Sequence, residues 1–235
     1  MTATTQHADI PGASFTEHER AFQEGRFLRV VNYHNTPEAD TEKVRAELHS
    51  LAERFDPVTL EDLDAFRTTG EWHKSRPGII PVFYEGYRNN AEVAAPLAEE
   101  AGLTGWFFIC TAFLDVPVAE QFDYANAHHI DLVPEDRKGD RLAMTWDQVA
   151  DLSTRHVVTP HTASHASAAS LETDEAIRYE VLEPKRRMDE VTGQDAACTA
   201  FLWGTPYGKN PRVDAAVREA GYRYQFSNTM VQYLG

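Results

Sequence analysis

Ile79-Ile80-Pro81-Val82-Phe83 is a short apolar run, followed by Tyr84, the acidic side chain of Glu85, Gly86 and Tyr87. Such a run, bounded by turn signals, reads as a buried strand. Pro81 has no N–H to donate and is expected near the edge or start of its sheet. The same grammar recurs on both sides. Residues 27–33 hold Phe27, Leu28, Val30, Val31 and Tyr33 and read as a first strand. Residues 103–110 supply another, and Val157-Val158-Thr159 a further one before Pro160.

Helical signals fill the intervals. Val44, Leu48, Leu51 and Phe55 recur on one side of a helix over 39–55. Thr59 is expected to cap 60–66 before Gly70 and Pro77-Gly78, and Asn90 to cap an Ala-rich helix over 91–101. Residues 111–144 look irregular, with a helix near 118–128 and then a long polar loop suited to an active site. Thr145-Trp146-Asp147-Gln148 opens another helix, and 171–191 is mainly helical, kinked or divided at Pro184. Residues 200–203, a helix over 211–220 and a strand over 222–227 complete the cycle. Strands alternating with helices imply an α/β fold with parallel strands whose carboxyl ends share one face. The polar residues 1–26 are expected as an N-terminal arm or cap, and no linker divides 27–235, which read as a single domain.

Length and charge narrow the function. The 235 residues can bury a large single core. With 22 basic and 37 acidic side chains the formal charge is −15, which repels phosphate backbones, so neither nucleic acid nor anionic membrane is an expected partner. Cys110 and Cys198 form no CxxC pair and no disulfide framework. The chain lacks a basic-then-apolar secretory pattern and any apolar run of the ~20 residues that span a bilayer, so a cytoplasmic protein without integral membrane association is expected. No flavin, nicotinamide or P-loop phosphate pattern competes.

His161-Thr162-Ala163-Ser164-His165 follows the Val157 run. Two imidazoles four residues apart can face one side of a helical or tight turn and reach one ion. Glu85 is the acidic residue that would complete a His₂-carboxylate site with room for water. An isolated pair of this kind can equally be a local cap or a core contact.

Asn32-Tyr33-His34-Asn35, Phe83-Tyr84-Glu85-Gly86-Tyr87, the His161/His165 pair and Pro206-Tyr207-Gly208 together resemble the polysaccharide deacetylase family (NodB-like, carbohydrate esterase family 4), in the family's order. Trp106-Phe107-Phe108 is similar to the apolar strand after the family's acidic motif, and the resemblance spans about residues 27–227. It implies a distorted or incomplete (β/α) barrel and hydrolysis of an acetamide with a divalent metal, most often zinc. It makes Glu85, His161 and His165 the metal ligands.

The chain departs from the family at two points. Where members present two adjacent aspartates, one a base and the next a ligand, this chain has Tyr84-Glu85. A phenol with an ordinary pKa near ~10 is a hydrogen-bond donor at neutral pH, not a carboxylate base. No histidine follows His165, although active members supply one from a late strand-loop motif. Either another residue moves that proton, the chain stops before that element, or deacetylation has been lost.

Tyr84 is therefore a candidate for polar catalysis or an aromatic wall. His34 is a candidate for proton transfer, substrate contact or structure. Tyr207 and Trp203 are candidates for substrate contact, with turn and core roles as their alternatives, and Arg187 for binding an acidic base or ligand in the site, with helix-surface packing as its alternative. His128-His129, followed by Asp131, is a second polar cluster that could cover the site or bind substrate, with an exposed loop as its alternative. The expected function is metal-dependent hydrolysis of a non-peptide C–N amide bond, deacetylating an N-acyl sugar or small metabolite. The alternatives are an inactive deacetylase-like binding or structural domain, or a divergent metal-dependent enzyme of carbohydrate or secondary metabolism.

Overall fold

Apolar runs alternate with amphipathic helices, and in the computed structural model, which describes residues 15–234, each run becomes a parallel strand. The first fourteen residues of the expected arm lie outside the described residues; the rest includes helix α1 (Phe15–Gln23). Strands β1 (Leu28–Tyr33), β2 (Asp56–Pro57), β3 (Gly78–Phe83), β4 (Trp106–Ile109) and β5 (Val157–Pro160) form one sheet. The main path runs β1-β3-β4-β5, while β2 pairs only Gly78 and Ile79 of β3. A second sheet joins β6 (Cys198–Ala200) parallel to β7 (Tyr224–Phe226), with β8 (Val231–Tyr233) antiparallel beyond it. Between β5 and β6 a side chain replaces the ladder: the Thr159 hydroxyl donates to the Cys198 carbonyl and accepts from its N–H. Among the described strands β1 and β8 do not pair, so the α/β barrel is distorted and open on that side.

Side-chain alternation sorts the strands into two layers. Ile80, Val82, Trp106 and Phe108 face the barrel interior with Cys198, Ala200, Tyr224 and Phe226. Ile79, Phe83, Phe107 and Ile109 face the helices instead, against Val44, Leu48, Leu97 and Val149. A sheet covered on both faces explains why its strands read as unbroken apolar runs. Burying each such Phe or Ile contributes roughly 1.5–3 kcal/mol.

Pro81 is not at an edge: it lies in β3, between β1 and β4. Gly78 and Tyr84 donate to carbonyls of residues 27 and 33, so even-numbered N–H groups of β3 point to β1 and odd positions point away. On that other side β2 has ended at Ile79 and β4 begins at Val82, so the missing donor of Pro81 faces a gap in the ladder.

The helices α2 (Thr41–Ala52) and α3 (Leu60–Thr69) follow the sequence pattern, α3 with a Thr59/Asp62 capping box and Gly70 in the left-handed region. Asn90 is not a helix cap. It opens a π turn, Asn90–Ala94, ahead of α4 (Ala95–Glu100), and its buried amide donates to the Tyr84 carbonyl. Helices α5 (Thr111–Asp115) and α6 (Val118–Ala127) precede the irregular stretch, and α7 (Trp146–Leu152) starts at a Thr145/Gln148 capping box. The region around Pro184 divides into α8 (Asp174–Ile177), a π turn Arg178–Leu182 and α9 (Glu183–Thr192). The widened turn lets the chain enter proline without a broken bond in mid-helix. Helix α10 (Pro211–Glu219) begins at Asn210.

Candidate metal centre

Glu85 reaches the barrel mouth by a break in strand alternation. Phe83 faces the helices and Tyr84 the interior, so an extended Glu85 would face the helices again. Instead Glu85 takes φ 68° and Gly86 φ 89°, reversing the chain over the strand end. Gly86 N–H donates to the Tyr84 carbonyl (2.9 Å), Cys110 N–H to Glu85 (3.1 Å) and Met144 N–H to Gly86 (2.9 Å). A β-carbon on Gly86 would lie 3.0 Å from Ile109 and 3.1 Å from Leu114. The Glu85 side chain is 1% exposed, and both of its oxygens lie 3.0 Å from Nδ1 of His34. Burial pushes the Glu85 carboxyl pKa upward, with His34 opposing it.

The histidine pair sits on a turn, not a helix, with Thr162 at φ 64° and His165 at φ 66°. His161 N–H donates to Ile109 (2.7 Å), Ala112 N–H to Ala163 (2.8 Å) and Ala166 N–H to the Thr162 hydroxyl (2.9 Å). From the π turn, the buried Glu180 carboxylate accepts Ala163 N–H (2.9 Å), Ser164 N–H (2.9 Å) and the Ser164 hydroxyl (2.6 Å). The two rings are thereby brought to 4.9 Å between centroids.

Each ring is also fixed in tautomer. Nδ1 of His161 lies 2.9 Å from the Ala200 carbonyl, and Nδ1 of His165 lies 2.9 Å from the His128 carbonyl. A carbonyl only accepts, so both Nδ1 atoms carry hydrogen and both Nε2 atoms present a lone pair. Burial holds both imidazoles below their ordinary pKa, His161 well below it with His165 adding to the effect. One ligand atom from each of Glu85, His161 and His165 lies within 4.8 Å of the others. Two neutral nitrogens and a buried carboxylate, with the far ring nitrogens hydrogen-bonded, form a donor set that fits a divalent cation such as zinc.

The cluster opens into a cavity of about 370 Å³ whose wall includes Asn32, His34, Tyr84, Asp131, Trp203 and Asn228. Tyr84 lies between the rings of His34 (5.5 Å) and His161 (5.0 Å), and burial raises its pKa, keeping the phenol protonated. Trp203 stands at the rim, 68% exposed, with φ 66°. Tyr207 is not on this wall. Its N–H donates to the Gln232 side chain (2.8 Å) and its hydroxyl accepts from Arg218 (2.6 Å), which fastens the Pro206-Tyr207-Gly208 turn to β8 and α10. Arg187 lies over the Trp146 ring (4.9 Å), also off the cavity wall. Cys110 and Cys198 are free and buried.

Asn32 and Asn228 line the site and are not candidates from the sequence, whereas His129 and Asp131, from the polar cluster expected to cover the site, do lie on its wall. For Asn32 and Asn228 the available signal was position, a polar residue at or just beyond a strand's carboxyl end. Asn228, which follows β7, donates through its amide to the Trp203 carbonyl (3.0 Å). Asp131 lay within the second polar cluster, in the irregular stretch.

Solved deacetylases share this fold. The chain is similar to the de-N-acetylase of Aggregatibacter actinomycetemcomitans at 15% identity and a TM-score of 0.64, over 88% of this chain and 91% of that one. It is similar to the Streptococcus pyogenes deacetylase PplD, solved in complex with acetate, at 12% identity and 0.62, over 88% and 84%. The corresponding values for IcaB from Ammonifex degensii are 15% and 0.60, over 86% and 83%. No protein of curated function matches the sequence. The sequence profile of the polysaccharide deacetylases matches residues 73–225, a span of well over half the chain that includes Glu85, His161 and His165, and the chain belongs to the polysaccharide deacetylase family.

Proposed function

We propose that this protein is a zinc-dependent hydrolase of a non-peptide C–N amide bond that deacylates an N-acyl sugar or a small N-acylated metabolite. The observation that carries the reading is the pair of Nδ1–H donations to backbone carbonyls, which leave two Nε2 lone pairs beside a buried carboxylate. When bound, a divalent ion supplies Lewis acidity toward a water and an acyl oxygen. Glu85, His161 and His165 would hold it, and His34 fixes the Glu85 carboxylate through Nδ1. Tyr84 offers its phenolic hydrogen to the oxygen on which charge develops. Trp203 offers a flat face at the rim for a sugar ring or acyl group. The likeness to deacetylases, one solved with acetate, supports a small acyl group. The acidic surface favours such a substrate over nucleic acid.

Metal content of untreated and chelator-treated protein, with Glu85→Ala and His161→Ala alongside, tests the site. One ion per chain in wild type and its loss in both variants is expected. Time-resolved mass measurement over a panel of N-acyl sugars and metabolites then tests the chemistry. Metal that survives removal of these side chains would overturn the assignment. A second reading, a domain that holds metal without turnover, rests on Tyr84 standing where the family's carboxylate base usually does. Stoichiometric metal with no mass change across the panel would select it.

A further inference from the structure

The hydrolase reading leaves open which group takes the proton from the attacking water. Besides the three ligands, the titratable side chains on the cavity wall are His34, Tyr84, His129 and Asp131. His34 is bonded to Glu85, Tyr84 holds its phenolic hydrogen, and the His129 ring leans on Trp203 at 5.7 Å. Asp131 supplies the one remaining carboxylate, and that carboxylate makes no hydrogen bond or ion pair with the described residues.

Its position is built. His165 donates through Nδ1 to the His128 carbonyl, and His128 donates through its own Nδ1 to the Ser164 carbonyl, both at 2.9 Å. The ligand turn and the His128 segment therefore clamp each other. Tyr124 stacks on His128 at 4.0 Å, Ile130 is buried, and the Tyr87 hydroxyl donates to the Asp131 carbonyl at 2.8 Å. Between these anchors His129 takes φ 56°, turning the chain so that Asp131 lines the cavity. Its charge is felt at His34, Glu85 and His165.

We propose, resting on the hydrolase reading, that Asp131 is the general base of the reaction. Its carboxylate takes one proton from the water as the water oxygen bonds to the acyl carbon and the carbonyl electron pair moves onto oxygen. On collapse that pair re-forms the carbonyl, the C–N bond breaks, and the nitrogen receives the proton from Asp131. The products are the free acid and the free amine, with the carboxylate restored.

The test uses the full chain loaded with zinc, acetohydroxamate as probe and N,N′-diacetylchitobiose as substrate, in wild type, Asp131→Asn and Asp131→Glu. Asp131→Asn is expected to keep its fold by circular dichroism and its zinc stoichiometry. It should lose tenfold or more in acetohydroxamate affinity, with part regained in Asp131→Glu. On the disaccharide kcat should fall roughly 10²–10⁴-fold with KM little changed. A loss of acetohydroxamate affinity smaller than tenfold, or a rise in KM with kcat retained, overturns the base assignment and leaves the metal reading standing. Wild-type protein that takes up no zinc overturns the hydrolase reading and Asp131 with it.

Discussion

Glu180 should prove to be the fastening of the metal site, and its removal measures how far the ligand turn depends on one buried carboxylate. It is 6% exposed and accepts three hydrogen bonds, from Ala163 N–H, Ser164 N–H and the Ser164 hydroxyl. Hydrogen bonds to a charged acceptor contribute about 1.5–3 kcal/mol each, and a buried donor left unpaired costs about 1–3 kcal/mol. Ala163 is 3% exposed and its N–H cannot find water, whereas half-buried Ser164 recovers part of its loss by solvation. The sum for Glu180→Ala is therefore about 3 kcal/mol, below the simple total of three charged bonds. For a chain of this length that lowers Tm by roughly 6–12 °C. The assay is thermal unfolding by circular dichroism in chelator, so that metal binding adds nothing to stability. Zinc affinity by competition with a chelating dye should fall at least about tenfold, because Thr162 and His165 hold left-handed conformations that cost about 1–3 kcal/mol each and relax once the clamp is gone. Glu180→Gln keeps one acceptor oxygen and should fall between. A melting point within about 2 °C of wild type, together with unchanged zinc affinity, would refute the reasoning.

Two further outcomes follow from backbone and titration. Gly86→Ala forces a β-carbon to 3.0 Å from Ile109 at φ 89°, whereas Gly70→Ala at φ 72° meets nothing within 4 Å; urea unfolding should show about 2–3 kcal/mol lost at Gly86 against about 1 kcal/mol at Gly70. Burial lowers the pKa of His156, outweighing the pull of Glu99, and its Nδ1 accepts Gly105 N–H. A folded pKa below the unfolded value of 6.5 gives stability that is present above that pH and is lost as pH falls toward the folded pKa. Unfolding free energy measured in urea should therefore fall from about pH 7.5 to about pH 5.5, and less steeply in His156→Gln; an equal slope in the variant would count against this source.

The strands and the cluster of candidate ligands were legible because each rests on a local pattern. Runs such as Ile79–Phe83 and Trp106–Ile109 are apolar on both faces, since helices cover one side and the barrel interior fills the other. Position at a strand's carboxyl end then singles out Glu85 and His161. What sequence left hidden depends on contacts between distant segments. The gap that tolerates Pro81 exists only because β2 stops where β4 has yet to begin. The Asn90 amide is drawn from capping by the Tyr84 carbonyl just past the end of β3. Tyr207 belongs to a motif that reads as a groove residue, but Gln232, from β8, takes its N–H. That strand, Val231–Tyr233, is only three residues long, too short for its alternation to stand out. Glu180 and Asn228 are ordinary polar residues in the sequence, and only the fold turns them toward the site.

The barrel and its mouth follow different rules. Strand periodicity places every second side chain inward, so a strand end can offer alternate residues to a site but not two neighbours. Tyr84 and Glu85 are neighbours on the mouth of one strand, and only the left-handed turn at Glu85 lets both face the cavity. The other non-glycine residues with positive φ among those described are His129, Thr162, His165 and Trp203. Four of the five line the cavity, and Thr162 lies between the two candidate histidine ligands. Each forgoes about 1–3 kcal/mol that an ordinary conformation would keep. Core contacts such as the stacked Phe83 and Phe107 rings, 5.0 Å apart and fully buried, supply the offset from the layer just beneath. Strain confined to the mouth of the barrel is what a preorganised ligand set requires. The donors of the candidate site are held in place by the fold, so an ion bound there would not spend its binding free energy on turning them inward.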